Sequence, residues 1–317
     1  MAKNDITVRE LQAPQIMTTN GLSLRTDALY CDAKGREKGN LRKQADKILE
    51  QLREPLQRML QPDESILFVA RANRAFSPLE QVTAGWAAYY YSMFELVLTN
   101  RRLLQFGVDS KGKWKKSVKA VAWGDVSSVK VRAGLLSREM ELRLKDGSKL
   151  KYWRLGNAQA KALKAIISAV HNASSGEASG YGVRQLCPSC FRDLTAGHYE
   201  CTGCGQVFKD EQTLKRRAWL IPGGGYFYAG QTAMGALAAF VDVYLLFLVL
   251  ATLLGNDAAT KAEGNNPVAQ AIGVTVFVLV LVGLEKLFQI YHARHAIRDF
   301  MPVGGTAAVR GIAAGMS

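Results

Sequence analysis

Four of the five cysteines stand in two close pairs, and their spacing suits a metal site. The pairs are Cys187-Pro-Ser-Cys190 and Cys201-Thr-Gly-Cys204, separated by ten residues. Two such turns can present four thiolates tetrahedrally, which is the closed geometry of structural zinc. A segment this short cannot fold on apolar burial alone, so metal binding would supply its folding free energy. The pattern predicts structural Zn²⁺ on Cys187, Cys190, Cys201 and Cys204, with iron in a rubredoxin-like site as the minor alternative.

The chain around the cysteines resembles a zinc ribbon over residues 186–208. A CPxC turn precedes a short hairpin with Leu194 and Tyr199, and a CxxCG turn precedes the aromatic Phe208. We therefore expect a ribbon module over 185–210. Because all four ligands are used, the site has no open position for catalysis. Cys31 stands alone and is interpreted as incidental.

Two long apolar runs lie in the C-terminal third. Residues 232–254 contain one charge, Asp242, and residues 268–284 contain none. Either run can cross a hydrocarbon core of ~30 Å. Basic residues flank the runs at 215–217, Arg294 and Arg298, so the positive-inside rule places both termini in the cytosol. We predict a transmembrane α-hairpin over 232–291 in the bacterial inner membrane, with the buried hairpin of a soluble protein as the alternative.

Asp242 is a carboxylate inside the first apolar run. Such a charge costs roughly 2.5–3.5 kcal/mol on insertion scales, so a partner is expected. Three interpretations compete, in descending order: a protonated group hydrogen-bonded between helices, a contact with a partner subunit, and a position along an ion path. Gly235 and the alanines at 233, 236, 238 and 239 offer a small-residue packing face that permits association of chains.

The segment before the first run, 211–231, is rich in glycine and aromatic residues. The run Pro222-Gly-Gly-Gly-Tyr-Phe-Tyr-Ala-Gly230 resembles the "PGxGxxYxG" entry motif of small two-span bacterial membrane proteins, including the TM2-type family, with Tyr226 where those proteins have glutamine. The aromatic residues Trp219, Tyr226 and Tyr228 suit the headgroup region, which predicts an interfacial or half-inserted helix over 218–230. After the second run, His292 and His295 are interpreted as headgroup contacts.

Short alternating segments dominate the first half of the chain and predict β-strands. Asp146-Gly147 is typical of a hairpin turn, and residues 157–170 read as an amphipathic helix. Together these elements predict a small antiparallel barrel closed by a C-terminal helix. The seven strand candidates are 65–70, 94–98, 103–106, 118–122, 126–131, 140–144 and 149–153.

Two motifs in this region resemble bacterial pleckstrin-homology-like (PH-like) domains. The first is Leu-Val-Leu-Thr-Asn-Arg-Arg-Leu-Leu at 96–104, and the second is Trp-Gly-Asp-Val-Ser-Ser-Val at 123–129. The resemblance implies a PH-like domain over 62–171. In bacterial relatives it implies oligomerisation or protein docking more often than lipid binding. The fold class is thus a multidomain α+β membrane protein with a PH-like barrel, a zinc ribbon and a transmembrane α-hairpin.

Four further segments complete the predicted organisation. Residues 1–39 read as a flexible N-terminal segment, and 40–61 as an amphipathic helix kinked near Pro55. Packing on the following domain or on a second copy is favoured for this helix over a membrane surface. Residues 172–184 form a Ser/Gly-rich linker, and 292–317 a cytosolic tail.

The charge balance bears on the choice of partner. The net charge is +14, and residues 218–291 carry −2, so the remaining soluble part carries +16. Such charge beside a bilayer suggests an acidic lipid surface, with solubility alone as the alternative. Nucleic acid is less favoured because the ribbon lies close to a span. The candidate lipid- or partner-binding residues are Arg101, Arg102, Lys111, Lys113, Lys115, Lys116 and Lys119.

These observations favour a non-enzymatic membrane-anchored adaptor or scaffold. We find no nucleophile–base set, phosphate loop or open metal site, and no small-molecule substrate is evident. The expected partners are the lipid bilayer and a protein partner or a second copy of the chain. The alternative is an accessory subunit of an oligomeric transport or channel complex that uses Asp242.

Overall fold

The computed structural model describes residues 16–19, 21–75, 92–133, 138–173, 180, 182–259 and 267–303. The described residues form two compact units, one up to Ala75 together with the part between Ser92 and Leu194, and the other from Thr195 onwards. Several predicted segments lie partly outside the described residues, at 1–15, 174–179, 260–266 and 304–317.

The first unit begins with five short elements. They are β1 (Ile16–Thr19), β2 (Leu22–Arg25), α1 (Thr26–Leu29), α2 (Gly39–Gln51) and α3 (Arg53–Met59). Leu22, Leu24 and Leu29 are buried. The expectation of a flexible segment over 1–39 therefore differs from the structure in this part, because elements of four residues are too short to give a recognisable period.

The predicted helix over 40–61 is divided into two helices, α2 and α3. The break falls at Leu52, whose φ of −106° and ψ of 10° leave the helical range. Pro55 lies in the first turn of α3, where its missing N–H costs no helical hydrogen bond. Both helices bury their apolar side chains on the following sheet, as the favoured interpretation expected.

Seven strands and a helix form the centre of the first unit, and they include every strand predicted from the sequence. They are β3 (Ile66–Arg74), β4 (Met93–Thr99), β5 (Arg102–Val108), β6 (Trp114–Ala122), β7 (Val126–Ala133), β8 (Arg138–Leu144), β9 (Lys149–Leu155) and α4 (Asn157–Ala173). The strands pair antiparallel in the order β6-β5-β4-β3-β9-β8-β7.

One core lies between the curved sheet and α4. All seven strands contribute side chains to it, and α4 adds Leu163 and Ile167. Trp123, in a 3₁₀ turn between β6 and β7, is 1% exposed and donates its indole N–H to the Thr99 carbonyl at 2.7 Å. The arrangement fits a small barrel closed by a helix.

A second core covers the outer face of β3 to β6. Because side chains alternate along a strand, Phe68 points to the inner core while Val69 points outward, and Leu103 and Leu104 divide in the same way. The outward residues pack against Ile48 and other apolar side chains of α2 and α3. This half of the sheet is therefore buried on both faces.

The strand that leads into the cysteine segment continues the same sheet. β10 (Val183–Leu186) pairs antiparallel with β6, placing Leu186 opposite Val118, and β11 (Asp193–Leu194) pairs with β10. Leu186 is 2% exposed. The predicted linker over 172–184 thus ends in a strand, which the sequence pattern had not indicated.

The second unit contains four helices in its described part. They are α5 (Glu211–Leu220), α6 (Gly224–Ala229), α7 (Thr232–Ala259) and α8 (Pro267–Arg298). By length and composition, α7 and α8 can each cross a membrane, with mean hydropathies of 2.3 over Thr232–Thr252 and 2.2 over Ala271–Arg298. The predicted tail over 292–317 therefore starts within α8.

We predict that Leu52→Ala destabilises the protein by about 2–5 kcal/mol, because truncating a buried leucine leaves a cavity. Leu52 is 0% exposed in the outer core. Lys43→Ala, on the exposed side of α2, is the control and should change the free energy of unfolding by less than about 0.5 kcal/mol. Urea denaturation of both variants in detergent measures the difference, and equal stabilities would contradict an outer core built by these helices.

Candidate metal centre and buried ion pair

The first cysteine pair lies on a tight turn between β10 and β11. The Phe191 N–H donates to the Cys187 carbonyl at 2.9 Å, and the Cys187 N–H donates to the Arg192 carbonyl at 2.9 Å. Phe191 has φ 59°, in the left-handed region. Strain at a non-glycine residue is tolerated where the surrounding structure fixes the turn.

The second pair forms a turn with the same hydrogen bonds. The Gly205 N–H donates to the Cys201 carbonyl at 2.9 Å, and the Cys201 N–H donates to the Gln206 carbonyl at 2.9 Å. Gly205, with φ 68°, occupies the position that Phe191 holds in the first turn. The Gly203 N–H also points at the Cys201 Sγ, 3.4 Å away.

The two turns bring four sulfur atoms together. The Sγ atoms of Cys187, Cys190, Cys201 and Cys204 all lie within 4.8 Å of one another. None of the cysteines is in a disulfide. Zinc with four sulfurs at 2.3 Å would set them about 3.8 Å apart, so a small side-chain adjustment closes the site on a metal. The structure therefore brings the four predicted ligands together in an arrangement that is compatible with a metal site.

Arg58 of α3 supports the first turn, which the sequence did not indicate. Its guanidinium donates to the Ser189 carbonyl at 2.7 Å and lies 5.4 Å from the ring centroid of Phe191. The two contacts join residues 131 and 133 positions apart in the chain. Long-range contacts of this kind leave no local pattern.

The segment after the second turn packs on the chain that follows α8. Phe208 is 1% exposed and meets Phe300 edge-on, with ring centroids 5.6 Å apart. Phe208 also forms a β-bridge with Pro302. The predicted late aromatic of the ribbon is thus a core residue, and residues 299–303 are ordered around it.

Arg101 and Arg102 are engaged in ion pairs with the chain just before β3. Arg102 contacts Glu64 at 2.8 Å, with side-chain exposures of 15% and 0%, and also donates to the Met59 carbonyl. Arg101 pairs with Asp63. Arg102 therefore serves the fold, and its predicted role in partner binding is not favoured by this geometry.

The five candidate lysines divide into two groups. Lys111 and Lys113 are exposed on the turn between β5 and β6, where Asp109 Oδ1 accepts both backbone N–H groups at 2.9 and 2.8 Å. Lys115, Lys116 and Lys119 are half-buried along β6. Because β10 occupies the edge of β6, only the turn presents its lysines openly.

Asp242 is paired with a cation on the neighbouring helix. Its Oδ2 lies 2.5 Å from Lys286 Nζ and accepts the Gly223 N–H at 2.9 Å. The two side chains are only 8% and 6% exposed. The partner that the sequence analysis expected is therefore an ammonium of the same chain, whereas a protonated carboxyl was ranked first. In the sequence, the adjacent charges at 285 and 286, just after the second apolar run, are the feature that could have indicated this partner.

Polar side chains of α8 hold the short helix α6. Gln289 Oε1 accepts the Gly225 N–H at 3.0 Å, and the Tyr226 hydroxyl is 2.9 Å from His292 Nδ1. Tyr226 and Tyr228 are each 6% exposed and His292 is 8% exposed. The prediction that Tyr226, Tyr228 and His292 contact lipid headgroups is therefore wrong, because their polar groups meet partners inside the unit.

The small-residue face of α7 is used by α6. A Cβ added at Gly235 would meet the Phe227 ring at 2.6 Å, and one added at Gly223 would collide with the Gly235 carbonyl. Gly223 also has φ 65°, a conformation that glycine adopts without strain. The face that was predicted to permit association of chains is thus occupied, at Gly235, within the chain.

Two cations lie over the ring of Tyr228 just before the apolar helices. The ring centroid is 5.7 Å from Lys209 Nζ and 5.0 Å from the Arg217 guanidinium carbon. Burial, reinforced by the charge of Arg217, lowers the pKa of Lys209 to about 8. Tyr228 also donates to Asp210 Oδ2 at 3.3 Å, and Asp210 Oδ1 caps α5 at the Thr213 N–H.

We expect Cys204→Ser to abolish stoichiometric metal binding, because three thiolates no longer complete a tetrahedral site. Elemental analysis of the purified full chain measures both metal identity and content. Cys31→Ser is the matched control, since Cys31 lies outside the cluster, and it should keep one metal ion per chain. A metal-free wild-type protein, or full metal content in the Cys204 variant, would refute the site.

We also expect the stability to rise with pH through the titration of Lys209. Its folded-state pKa of about 8 lies below the usual value of 10.5, so the unfolded chain binds more protons between these values and ΔG of unfolding increases with pH. The penalty is complete below pH 8 and disappears towards pH 10.5. Lys209→Met should flatten this part of the pH profile. Melting temperatures of delipidated protein measure it, and parallel profiles would exclude the effect.

Comparison with known proteins bears on the first unit. Residues 60–172 match the family model described as Bacterial PH domain. No curated protein matches the chain. The matched region covers roughly a third of the sequence and contains β3 to β9 and nearly all of α4. It agrees with the resemblance carried by the motifs at 96–104 and 123–129. Residues 60–172 are therefore similar to bacterial PH domains, as their antiparallel sheet and closing helix also indicate.

Proposed function

We propose that this protein is a non-enzymatic adaptor anchored in the bacterial inner membrane. It presents a PH-like domain and a structural zinc ribbon at the cytosolic face, for docking of a protein partner or of a second copy. The observation that carries the proposal is the combination, in one chain, of a sheet similar to bacterial PH domains, a four-cysteine cluster and two long apolar helices.

The exposure of the apolar helices supports a place in lipid. Phe240 of α7 is 70% exposed and Phe277 of α8 is 62% exposed. The core helix of a soluble protein would bury such side chains, since each buried phenylalanine contributes roughly 1.5–3 kcal/mol. A continuous apolar surface of this extent marks a membrane or partner contact, and the lengths of the helices favour the membrane.

The charges at the ends of the hairpin support the orientation. Lys215, Arg216 and Arg217 precede α7, and Arg294 and Arg298 end α8. Basic residues concentrate on the cytosolic side of membrane segments. A cytosolic position also suits four thiolates on a metal, because thiols stay reduced there.

The geometry favours protein docking over lipid binding by the PH-like domain. Arg102 is paired with Glu64, and the edge of β6 is covered by β10. The exposed Lys111 and Lys113 are two charges on one turn, worth about 1 kcal/mol each towards an acidic bilayer. That is a weak lipid contact but a usable rim for a protein interface.

The alternative of a transport or channel subunit rests on Asp242 alone. Asp242 pairs with Lys286 and accepts a backbone N–H, which are the contacts of a structural ion pair. No described observation favours the transport reading over the adaptor.

Site-specific photo-crosslinking in bacterial cells tests the adaptor function. The full chain, with a crosslinking residue in place of Lys113, should stay in the membrane pellet after an alkaline carbonate wash. It should also form a defined adduct with a protein or with a second copy of itself, because Lys113 lies on an exposed basic turn of the PH-like domain.

The same crosslinking residue at Lys149, exposed on β9, serves as the matched control and should give a weaker or different adduct. Release of the chain by the wash would refute the membrane anchor. Adducts to lipid alone at Lys113 would refute protein docking and favour acidic lipid contact instead.

A further inference from the structure

The cations at Tyr228 stand out because they share one aromatic ring. Lys209 precedes α5 and is half-buried, whereas Arg217 is exposed in the last turn of α5. Both lie within the ~6 Å range in which an aromatic face attracts a cation. The ring orients the two side chains, but it carries no net charge that could neutralise them.

Among the described residues, no carboxylate forms an ion pair with either of these two cations. Other cations of this unit do have such partners, since Lys215 pairs with Glu211 and Lys286 pairs with Asp242 and Glu285. Asp210 is the nearest acid in sequence, but its oxygens accept from the Thr213 N–H and the Tyr228 hydroxyl. Arg217 therefore disfavours the charged form of Lys209, and neither cation forms an ion pair with a carboxylate in the part of the chain that the structure describes.

The start of α7 adds to the positive potential. Lys209 Nζ lies 3.7 Å from the position of a Cβ built on Gly230, two residues before α7 begins at Thr232. The N-terminus of a long helix carries partial positive charge and disfavours a cation nearby. A bound anion would relieve this repulsion together with that between the two side chains.

The neighbouring surface indicates where such an anion would come from. Directly after Arg217, the side chains Trp219, Leu220 and Ile221 are 54%, 70% and 47% exposed. On the proposed membrane placement, these residues meet the acyl region, since apolar side chains at the end of a basic helix insert at this depth. Lys209 and Arg217 then lie at the level of the lipid phosphates.

We propose that Lys209 and Arg217, which the buried ring of Tyr228 orients, bind the phosphate of an anionic phospholipid. The proposal rests on the membrane anchor of the proposed function and concerns a site separate from the lysines of the PH-like domain. The Arg217 guanidinium can donate two parallel hydrogen bonds to a phosphate, while Lys209 acts as a point charge. The site would fix the cytosolic end of α7 at one depth in the bilayer.

Lipid binding by the full chain in a neutral detergent tests the site. Native mass spectrometry with added phosphatidylglycerol should show one retained lipid on the wild type, and phosphatidylcholine should be retained far less. The Lys209→Met/Arg217→Met variant should lose affinity for phosphatidylglycerol by about 30-fold, since each cation contributes about fivefold. Wild-type affinity should also fall as the pH rises from 7 to 9.5, and the affinity of Lys209→Met should not.

The control is Lys215→Met/Arg216→Met, which removes the same charge from exposed neighbours, one of them already paired with Glu211. It should stay within about threefold of the wild type. Equal losses in both variants, or no loss in either, would overturn the site. Melting temperatures of the double variant at pH 7 show whether it is folded, and retained affinity in the folded single variants Lys209→Met and Arg217→Met would also count against it.

Two further arms separate this inference from the membrane anchor. Inorganic phosphate, added instead of lipid, should not protect the wild type from thermal unfolding; equal protection would assign a soluble anion to the site and overturn the lipid. If the carbonate wash released the chain while the lipid affinity and its dependence on Lys209 persisted, the anchor would fail and this site would stand.

Discussion

The ion pair between Asp242 and Lys286 is the interaction on which the second unit depends. Two opposite charges on otherwise apolar helices are tolerated only when they meet, because either one alone would be a buried unpaired charge. Asp242 lies ten residues after α7 begins and Lys286 twelve before α8 ends. At 1.5 Å per residue, the two positions lie about 15 and 18 Å along their helices from the end of the hairpin where α7 begins and α8 ends. The pair therefore fixes the antiparallel register of the two helices.

The glycine-rich segment follows from the same constraint. Asp242 has further lone pairs to satisfy, and the Gly223 N–H reaches one of them only because α6 approaches α7 closely. That approach excludes a side chain at Gly223 and at Gly235. The next polar groups of α8, Gln289 and His292, then meet the Gly225 N–H and the Tyr226 hydroxyl. A motif interpreted from the sequence as a membrane-surface feature is thus a set of internal contacts that gives Asp242 Oδ2, Gln289 and His292 their partners.

Sequence patterns were sufficient where the physical cause is local. The spacing of the cysteines, the alternation in β3 to β9 and the length of the apolar runs each arise within a few residues, and each was found. The structure adds contacts between distant residues: β10 on β6, Arg58 at the first cysteine turn, and Arg102 on Glu64. Arg102 looked like a binding residue because its partner lies 38 positions away. No period or spacing reports such a pair, so basic charge in a sequence overstates the charge that is free to bind.

The surfaces already occupied on the PH-like sheet restrict how a partner can reach it. The outer face of β3 to β6 is covered by α2 and α3, and the edge of β6 is taken by β10. At the other end of the strand order, β7 presents exposed Lys130 and Arg132. Charged residues on an edge strand oppose pairing with another chain. Strand addition is therefore disfavoured at β6 and at β7, and a partner of the proposed kind would meet the ends of the strands, where Lys111 and Lys113 lie, through side chains.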